Sequence, residues 1–180
     1  PLSEALLVGV ASEAGPRRAR EEDLDAVAAL YERARAFMRA QGNHTQWTGA
    51  YPGRVDAQRD LAAGALWVID DGAGPAACLS LLSGPDPTYE RIEGEGWLDD
   101  APYWVVHRVA VSTSGRGLGS RFLRWACERH GNVRADTHES NLPMRGALER
   151  CGFVSCGTIW VADGTPRVAY HFAREGALAF

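Results

Sequence analysis

Between Glu21 and Gln41 the apolar residues Leu24, Val27, Ala28, Leu30, Tyr31, Ala34, Phe37 and Met38 recur at helical spacing and form one stripe. Glu21, Glu22 and Asp23 stand at its start, where a helix favours negative charge, and Gly42-Asn43 closes it. A short strand is expected before it, over 16–20. The aromatic, turn-rich stretch 46–52 leads to a second helix over 55–63 that ends at Gly64. The runs 65–70 and 75–83 read as strands joined by Asp71-Gly72-Ala73-Gly74, a hairpin. Residues 84–102 contain three prolines and no periodicity, and read as a long functional loop. The nearly continuous apolar run 103–111 is typical of a strand buried on both faces. A helix over 117–130, a strand over 133–137, a helix over 141–150 and closing strands over 153–161 and 166–172 follow. This order implies a mixed sheet with helices on both faces.

The 180 residues suit a single domain. Residues 1–14 read as an extension and 15–180 as the domain. Hydrophobic residues make up 46% and charged residues 23%, the balance of an ordinary soluble protein. A net charge of −4 lacks the basic bias of a nucleic-acid binder and suits a cationic substrate such as an amine. No apolar run is long enough to span a bilayer, and the run Leu6 to Ala11 lacks the basic flank of a signal peptide. Cys78, Cys127, Cys151 and Cys156 show no C-x-x-C or zinc spacing and read as buried, reduced thiols of a cytoplasmic protein.

The chemistry concentrates in VVHRVAVSTSGRGLGSRFLRWACE, residues 105–128: a buried strand, a loop and a helix opening on Gly115-Arg116-Gly117-Leu118-Gly119-Ser120. Glycines allow backbone N–H groups to point outward, and a helix N-terminus adds about half a positive charge. Together they can cradle a pyrophosphate. No Gly-Lys-Ser/Thr follows the glycines, as a Walker loop requires, and their alternation differs from the dinucleotide fingerprint G-x-G-x-x-G. A glycine turn that merely packs strand on helix remains an alternative, as does a nucleotide-binding domain.

The segment resembles motif A of the GNAT superfamily of N-acetyltransferases, Q/R-x-x-G-x-G/A, here Ser114-Gly115-Arg116-Gly117-Leu118-Gly119. Gly117 and Gly119 match, and Ser114 departs from the pattern. Asn141, Glu149, Gly152 and Phe153 match the family's later helix, N-x-x-A-x-x-L-Y-E-x-x-G-F. The opening Arg18-Ala19-Arg20-Glu21-Glu22-Asp23-Leu24 is also similar, so the resemblance covers about 16–173. It implies a single-domain α/β (α+β) fold: a mixed, mostly antiparallel sheet with helices on both faces and a splayed central strand pair. It implies acetyl-CoA as co-substrate and a primary amine, small molecule or peptide, as acceptor. The turn from Ser114 and Gly115 to Ser120 would hold the CoA pyrophosphate. Val109, Ala110 and Val111 would lie along the pantetheine arm, with Asn141 beside it. The family tyrosine that often protonates the leaving thiolate falls at Leu148, which cannot donate a proton. An acyl-CoA-binding module without activity is therefore the second reading.

An attacking amine must lose its proton, so a base is needed near the splay. By period two, His107 shares a face with Val105, Val109 and Val111, and an imidazole titrates near pH ~6.5. A histidine also occupies the matching place in the arylalkylamine branch of the superfamily. A histidine satisfied within the sheet is the alternative. His138 and Glu139 are further candidates, although Glu139, Ser140 and Asn141 also suit a helix start. Arg108, alternating to the opposite face, is expected in an ion pair. Trp47, Tyr51, Tyr89, Trp97 and Tyr103 either wall an acceptor pocket or pack beneath the loops. The closing strands offer a surface for pairing into a homodimer.

Overall fold

The structure, a computed structural model, describes residues 14–112 and 116–175. The expected extension thus lies almost entirely outside the described residues, as do Ser114 and Gly115. Strand β1 (Arg17–Arg18) leads through a single 3-10 turn (Glu21–Asp23) into α1 (Leu24–Ala40). Then come α2 (Arg54–Ala62), β2 (Leu66–Asp70), β3 (Pro75–Ser83), β4 (Trp104–Val111), α3 (Leu118–His130), β5 (Asn132–Thr137), α4 (Leu142–Arg150), β6 (Val154–Trp160) and β7 (Pro166–Ala173). Each expected helix and strand forms, with boundaries shifted by at most three residues, the largest shift being at the start of α1, where Glu21–Asp23 form the 3-10 turn.

One seven-stranded sheet has the order β1-β2-β3-β4-β5-β7-β6 and is antiparallel except where β4 meets β5. Because side chains alternate across each strand, the sheet divides its apolar residues between two layers. Trp67, Leu79, Val106, Val133 and Tyr170 face α3 and α4. Leu66, Val68, Cys78 and Ala110 face α1. Beyond these, on the α1 side, the 84–102 loop lays Tyr89 on Val105, Ile159 and Ala169. The loop also pairs with the edge of β6: Glu93 and Thr158 exchange backbone bonds of 3.0 and 2.8 Å. That approach needs glycine at position 157, where φ is +135° and a Cβ would sit 2.1 Å from the Glu93 carbonyl oxygen.

All four cysteines are free and buried. Burial pushes the Cys78 and Cys127 thiols up to about 12, so they stay protonated. Among the described residues, no helix is long and apolar enough to cross a membrane.

The loop closes over His171, which is fully buried. Its Nδ1 accepts from the Leu98 N–H at 3.0 Å, and its Nε2–H donates to Asn132 Oδ1 at 2.8 Å. A backbone N–H can only donate, so Nδ1 must be bare and the ring neutral. Desolvation, helped by nearby Arg134 and opposed by Asp99, lowers its pKa to about 4. The unfolded chain, titrating near ~6.5, binds this proton first, so stability falls as pH drops from about 6.5 towards 4. Urea midpoints should register a loss of about 2 kcal/mol between pH 7 and pH 5. A midpoint unchanged over that interval contradicts the neutral, locked ring.

Candidate functional site

Strands β4 and β5 share only two register pairs, Trp104↔Val133 and Val105↔Arg134. Beyond them β4 runs on to Val111 and β5 to Thr137, but unpaired with each other. The strands part because β4 leaves the regular ladder. Against β3, Ala110 opposes Cys78 while His107 opposes Ser80, so three steps on β4 match two on β3. This is a β-bulge. Arg108 and Val109 have no register partner on either neighbour. Arg108 sits at φ +51°, the one non-glycine residue in the left-handed region among the described residues. Such a backbone costs on the order of 1–3 kcal/mol and persists only where its surroundings enforce it.

The enforcement comes from α2. Arg108 Nε and Nη2 each bond an oxygen of Asp60 at 2.8 Å, a bidentate pair. The Asp60 side chain is 4% exposed and that of Arg108 14%. Ser80 and Arg108 share one Asp60 oxygen, and the Tyr51 hydroxyl accepts from Arg108 Nη1 at 3.2 Å. The expected ion pair of Arg108 is present, but the expected faces change. Val106, Val109 and Val111 all pack towards α3 and α4, a spacing of three and then two. The bulge therefore puts His107 on the face of Val105 and opposite Val109 and Val111.

The gap is a cleft of about 790 Å³ lined from both faces of the sheet. On the α3–α4 side it meets Val109, Val111, Gly117, Gly119 and Ser120; on the α1 side, Met38, Gln46 and Asp136. Leu118, Ala110 and Asn141 also line it. Gly117, the N-cap of α3, has φ +70° and makes no side-chain cap. Among the described residues, the helix's first N–H groups therefore have no side-chain cap. A Cβ on Gly117 would meet nothing within 4 Å, and one on Gly119 only Val111 Cγ1 at 3.9 Å. Among the described residues, packing leaves the space at these two glycines open. Arg33, Arg124 and Arg150 line the cleft without an ion-pair partner among the described residues, and Arg116 pairs with Asp71 at 3.1 Å.

The proton-acceptor candidates lie elsewhere. His107 is absent from the lining; its Nε2 bonds Asp86 Oδ2 at 2.9 Å, and its ring lies 6.3 Å from that of Tyr89. Desolvation would raise the Asp86 carboxyl, but His107 and Thr88 outweigh it and hold it at about 2. His138 Nδ1 is engaged by the Ser140 amide and hydroxyl, at 3.1 and 2.8 Å. Desolvation and then Arg167 lower its pKa, against a smaller opposing effect of Glu139. The Glu139 side chain is exposed, and its carbonyl receives Arg145 at 3.0 Å. Asn141 caps α4 through the Met144 N–H at 3.3 Å. Leu148 is fully buried in the core.

Asp136, which the sequence reading passed over, is the carboxylate on the lining. The Tyr89 hydroxyl donates to its Oδ2 at 2.7 Å. Burial, reinforced by that carboxylate, raises the Tyr89 phenol well above its usual value, so the donor stays protonated. Of the five aromatics, none lines the cleft. Trp47 packs edge-on against Tyr31, with centroids 5.9 Å apart. Tyr89, Trp97 and Tyr103 cluster beneath the loop, with Arg134 over Trp97 and Tyr103 at 4.2 and 3.9 Å. Packing, the second reading of these residues, is the one the structure shows for this cluster.

A family model described as "Acetyltransferase (GNAT) family" matches residues 24–153. The chain belongs to the acetyltransferase (GNAT) family. Its members are acyltransferases, and the mixed sheet with a splayed central pair is their fold. An acetyltransferase of the GNAT family from Streptococcus agalactiae 2603 is 33% identical, with a TM-score of 0.83 over 89% of this chain and 95% of that one. The uncharacterized N-acetyltransferase YesJ of Bacillus subtilis (strain 168) is 30% identical over 109 residues, 58% of this chain. The alignment spans 59% of the length of that curated relative. AAC(6')-Ib, solved in complex with ribostamycin and coenzyme A, shares the fold at 20% identity, with a TM-score of 0.61 over 92% of this chain and 97% of that one.

Cutting the lock on the GNAT bulge strands a buried charge. Asp60→Ala should lower stability by about 3–5 kcal/mol in chemical denaturation, whereas Leu142→Ala, at a 68% exposed site, should stay within about 0.5 kcal/mol of the parent. Equal, small losses in both variants contradict the lock.

Proposed function

We propose that the protein transfers an acetyl group from acetyl-CoA to a primary amine by direct attack within the cleft. The observation that carries this is the pairing of an uncapped α3 N-terminus with an unpaired stretch of β4 on the wall of one through-sheet gap. Family membership supports it, as does the neighbour solved with coenzyme A and an aminoglycoside.

The residues present fit the co-substrate. The N–H groups from Gly117 to Ser120 lie at a positive helix end with no side-chain cap among the described residues, suited to a diphosphate. Ser114 and Gly115, outside the described residues, would complete this turn. Val109, Ala110 and Val111 flank the gap, and the stretch of β4 beyond Val105, out of register pairing with β5, suits an amide-bearing arm. Asn141 belongs to the same lining. When bound, acetyl-CoA supplies the acyl group as a thioester.

The acceptor enters from the α1 side, where Asp136 lies. An ammonium must lose a proton before its nitrogen can attack. Asp136, oriented by Tyr89, first attracts the cation and then takes that proton. The new N–C bond replaces the C–S bond, and the sulfur leaves with the bonding pair. His107 is a positioning residue: paired with Asp86, it supports the ring of Tyr89 from beneath. The acyl-CoA-binding module without turnover keeps one supporting observation, the burial of Leu148 where the family tyrosine falls.

Two variants test this. Gly119→Asp places a carboxylate in the first turn of α3; it should stabilise the helix by about 0.3–1 kcal/mol yet weaken CoA binding at least tenfold by calorimetry. Unaltered affinity removes the diphosphate from this turn. Asp136→Asn should lower kcat by about 10²–10⁴-fold with CoA affinity unchanged, while His107→Ala retains more activity than Asp136→Asn. Turnover by wild type but equal loss in both variants would restore His107 as the base. CoA binding without turnover across a broad amine panel would establish the binding module.

A further inference from the structure

Gln46, in the loop after α1, is the polar hub of the cleft's α1 side. Its Oε1 accepts from Asn43 Nδ2 at 2.9 Å, Asn141 Nδ2 at 3.1 Å, the His138 N–H at 3.3 Å and Thr137 Oγ1 at 3.4 Å. Three backbone donors fix which end of each amide is which. The Gln46 N–H bonds Asn43 Oδ1 at 3.3 Å, so Asn43 must present its NH2 to Gln46. The Met144 N–H bonds Asn141 Oδ1, so Asn141 must do the same. The His138 N–H has no other role than to donate. The atom at their focus must be the Gln46 oxygen, and its NH2 is the remaining end. That NH2 has no partner among the described residues, is not among the buried polar atoms left unpaired, and belongs to a residue on the lining.

An oriented donor pair on a residue of the same lining as a carboxylate suits a particular kind of ligand. Asp136 attracts the ammonium, and the Gln46 NH2 offers hydrogens to an oxygen. Arg33 lines the same cleft, without an ion-pair partner among the described residues. Arg108 cannot contribute, since Asp60 already holds its fork.

We propose that Gln46 selects the acceptor, its NH2 donating to a carbonyl or carboxylate oxygen beside the reacting amine, so that amino-acid-type amines are preferred over plain alkylamines. This rests on the acetyl-transfer reading above. A site built to donate to an oxygen discriminates against an analogue that lacks it, because the donor is then left unpaired.

The test uses matched pairs that differ only in a carboxamide: alaninamide and ethylamine, leucinamide and isopentylamine, phenylalaninamide and 2-phenylethylamine. Wild type should favour the carboxamide of each pair by about tenfold or more in kcat/KM, chiefly through KM. Gln46→Glu keeps an oxygen for the four donors and replaces the NH2 by a second oxygen. It should bring each ratio to within about threefold of unity, with the affinity for CoA unchanged; taking the ratio within one variant cancels any effect of the new charge common to both amines. A wild type indifferent to the carboxamide, or a preference that survives in Gln46→Glu, overturns the proposal. If wild type turns over neither member of any pair nor any amine of the broad panel, the acetyl-transfer reading fails. Calorimetry of phenylalaninamide against 2-phenylethylamine with the CoA-saturated protein then decides Gln46 by itself: a carboxamide advantage lost in Gln46→Glu supports it, and equal affinities reject it.

Discussion

The ion pair between Arg108 and Asp60 determines where strand β4 ceases to behave as part of a sheet. A non-glycine residue at φ +51° is held only if its side chain has a fixed destination. The fork of Arg108 finds one in a carboxylate sealed beneath α2, and Ser80 binds the same carboxylate from β3. Burial of such a pair costs desolvation, so it is no general source of stability. Its value here is positional. It sets the extra residue of the bulge, and the bulge releases Val109 from both neighbouring ladders. Without that release the gap between β4 and β5 would close on ordinary parallel pairing, and α1, α3 and α4 would pack against an unbroken sheet.

The two sides of the gap present different chemistry. Towards α3 the surface is backbone: glycine N–H groups and an unpaired strand segment, positive at the helix end. Towards α1 it is made of side chains, with Asp136 held by Tyr89 and Gln46 held by Asn43, Asn141 and the His138 amide. The 84–102 loop is part of this arrangement although none of its residues lines the gap. It delivers Tyr89 to Asp136, Asp86 to His107 and the Leu98 amide to His171. Arg134, which has a buried Nε without a hydrogen-bond partner, is clamped over Trp97 and Tyr103 and fastens the loop to β5.

Much of this was legible in the sequence because it follows from periodicity. The stripe from Leu24 to Met38 and the run 103–111 fixed their elements by burial alone, and the glycine turn with the Asn141 segment pointed to one family. The bulge was not legible. Nothing in Val-Val-His-Arg-Val-Ala-Val marks the arginine for a left-handed backbone, since its partner Asp60 lies 48 positions away. A period-two reading therefore carried His107 onto the wrong side of Val109 and Val111. Asp136 was passed over for a related reason. In Asn132–Thr137 it looks like a solvent-facing residue of a half-buried strand, and only the parting of β4 and β5 makes that position the floor of a cleft. A charged residue in the strand directly before the Asn141 helix was the available signal.

The division between backbone and side chain also accounts for how the fold persists while sequences drift. A donor set built from N–H groups needs glycine at one or two places and tolerates most substitutions around them. The similar structures retain the sheet at 33% and at 20% identity, with TM-scores of 0.83 and 0.61. Recognition by a side chain has no such tolerance: in the proposed role of Gln46, a carboxylate in place of the amide would present an acceptor where the amide presents a donor. Residues of this second kind lie in the loop after α1 and at the open end of β5, where the backbone is not constrained by sheet pairing on both sides. On the proposed reading, acceptor choice can change through a few side chains of the α1 face, while the α3 face continues to present the same backbone groups.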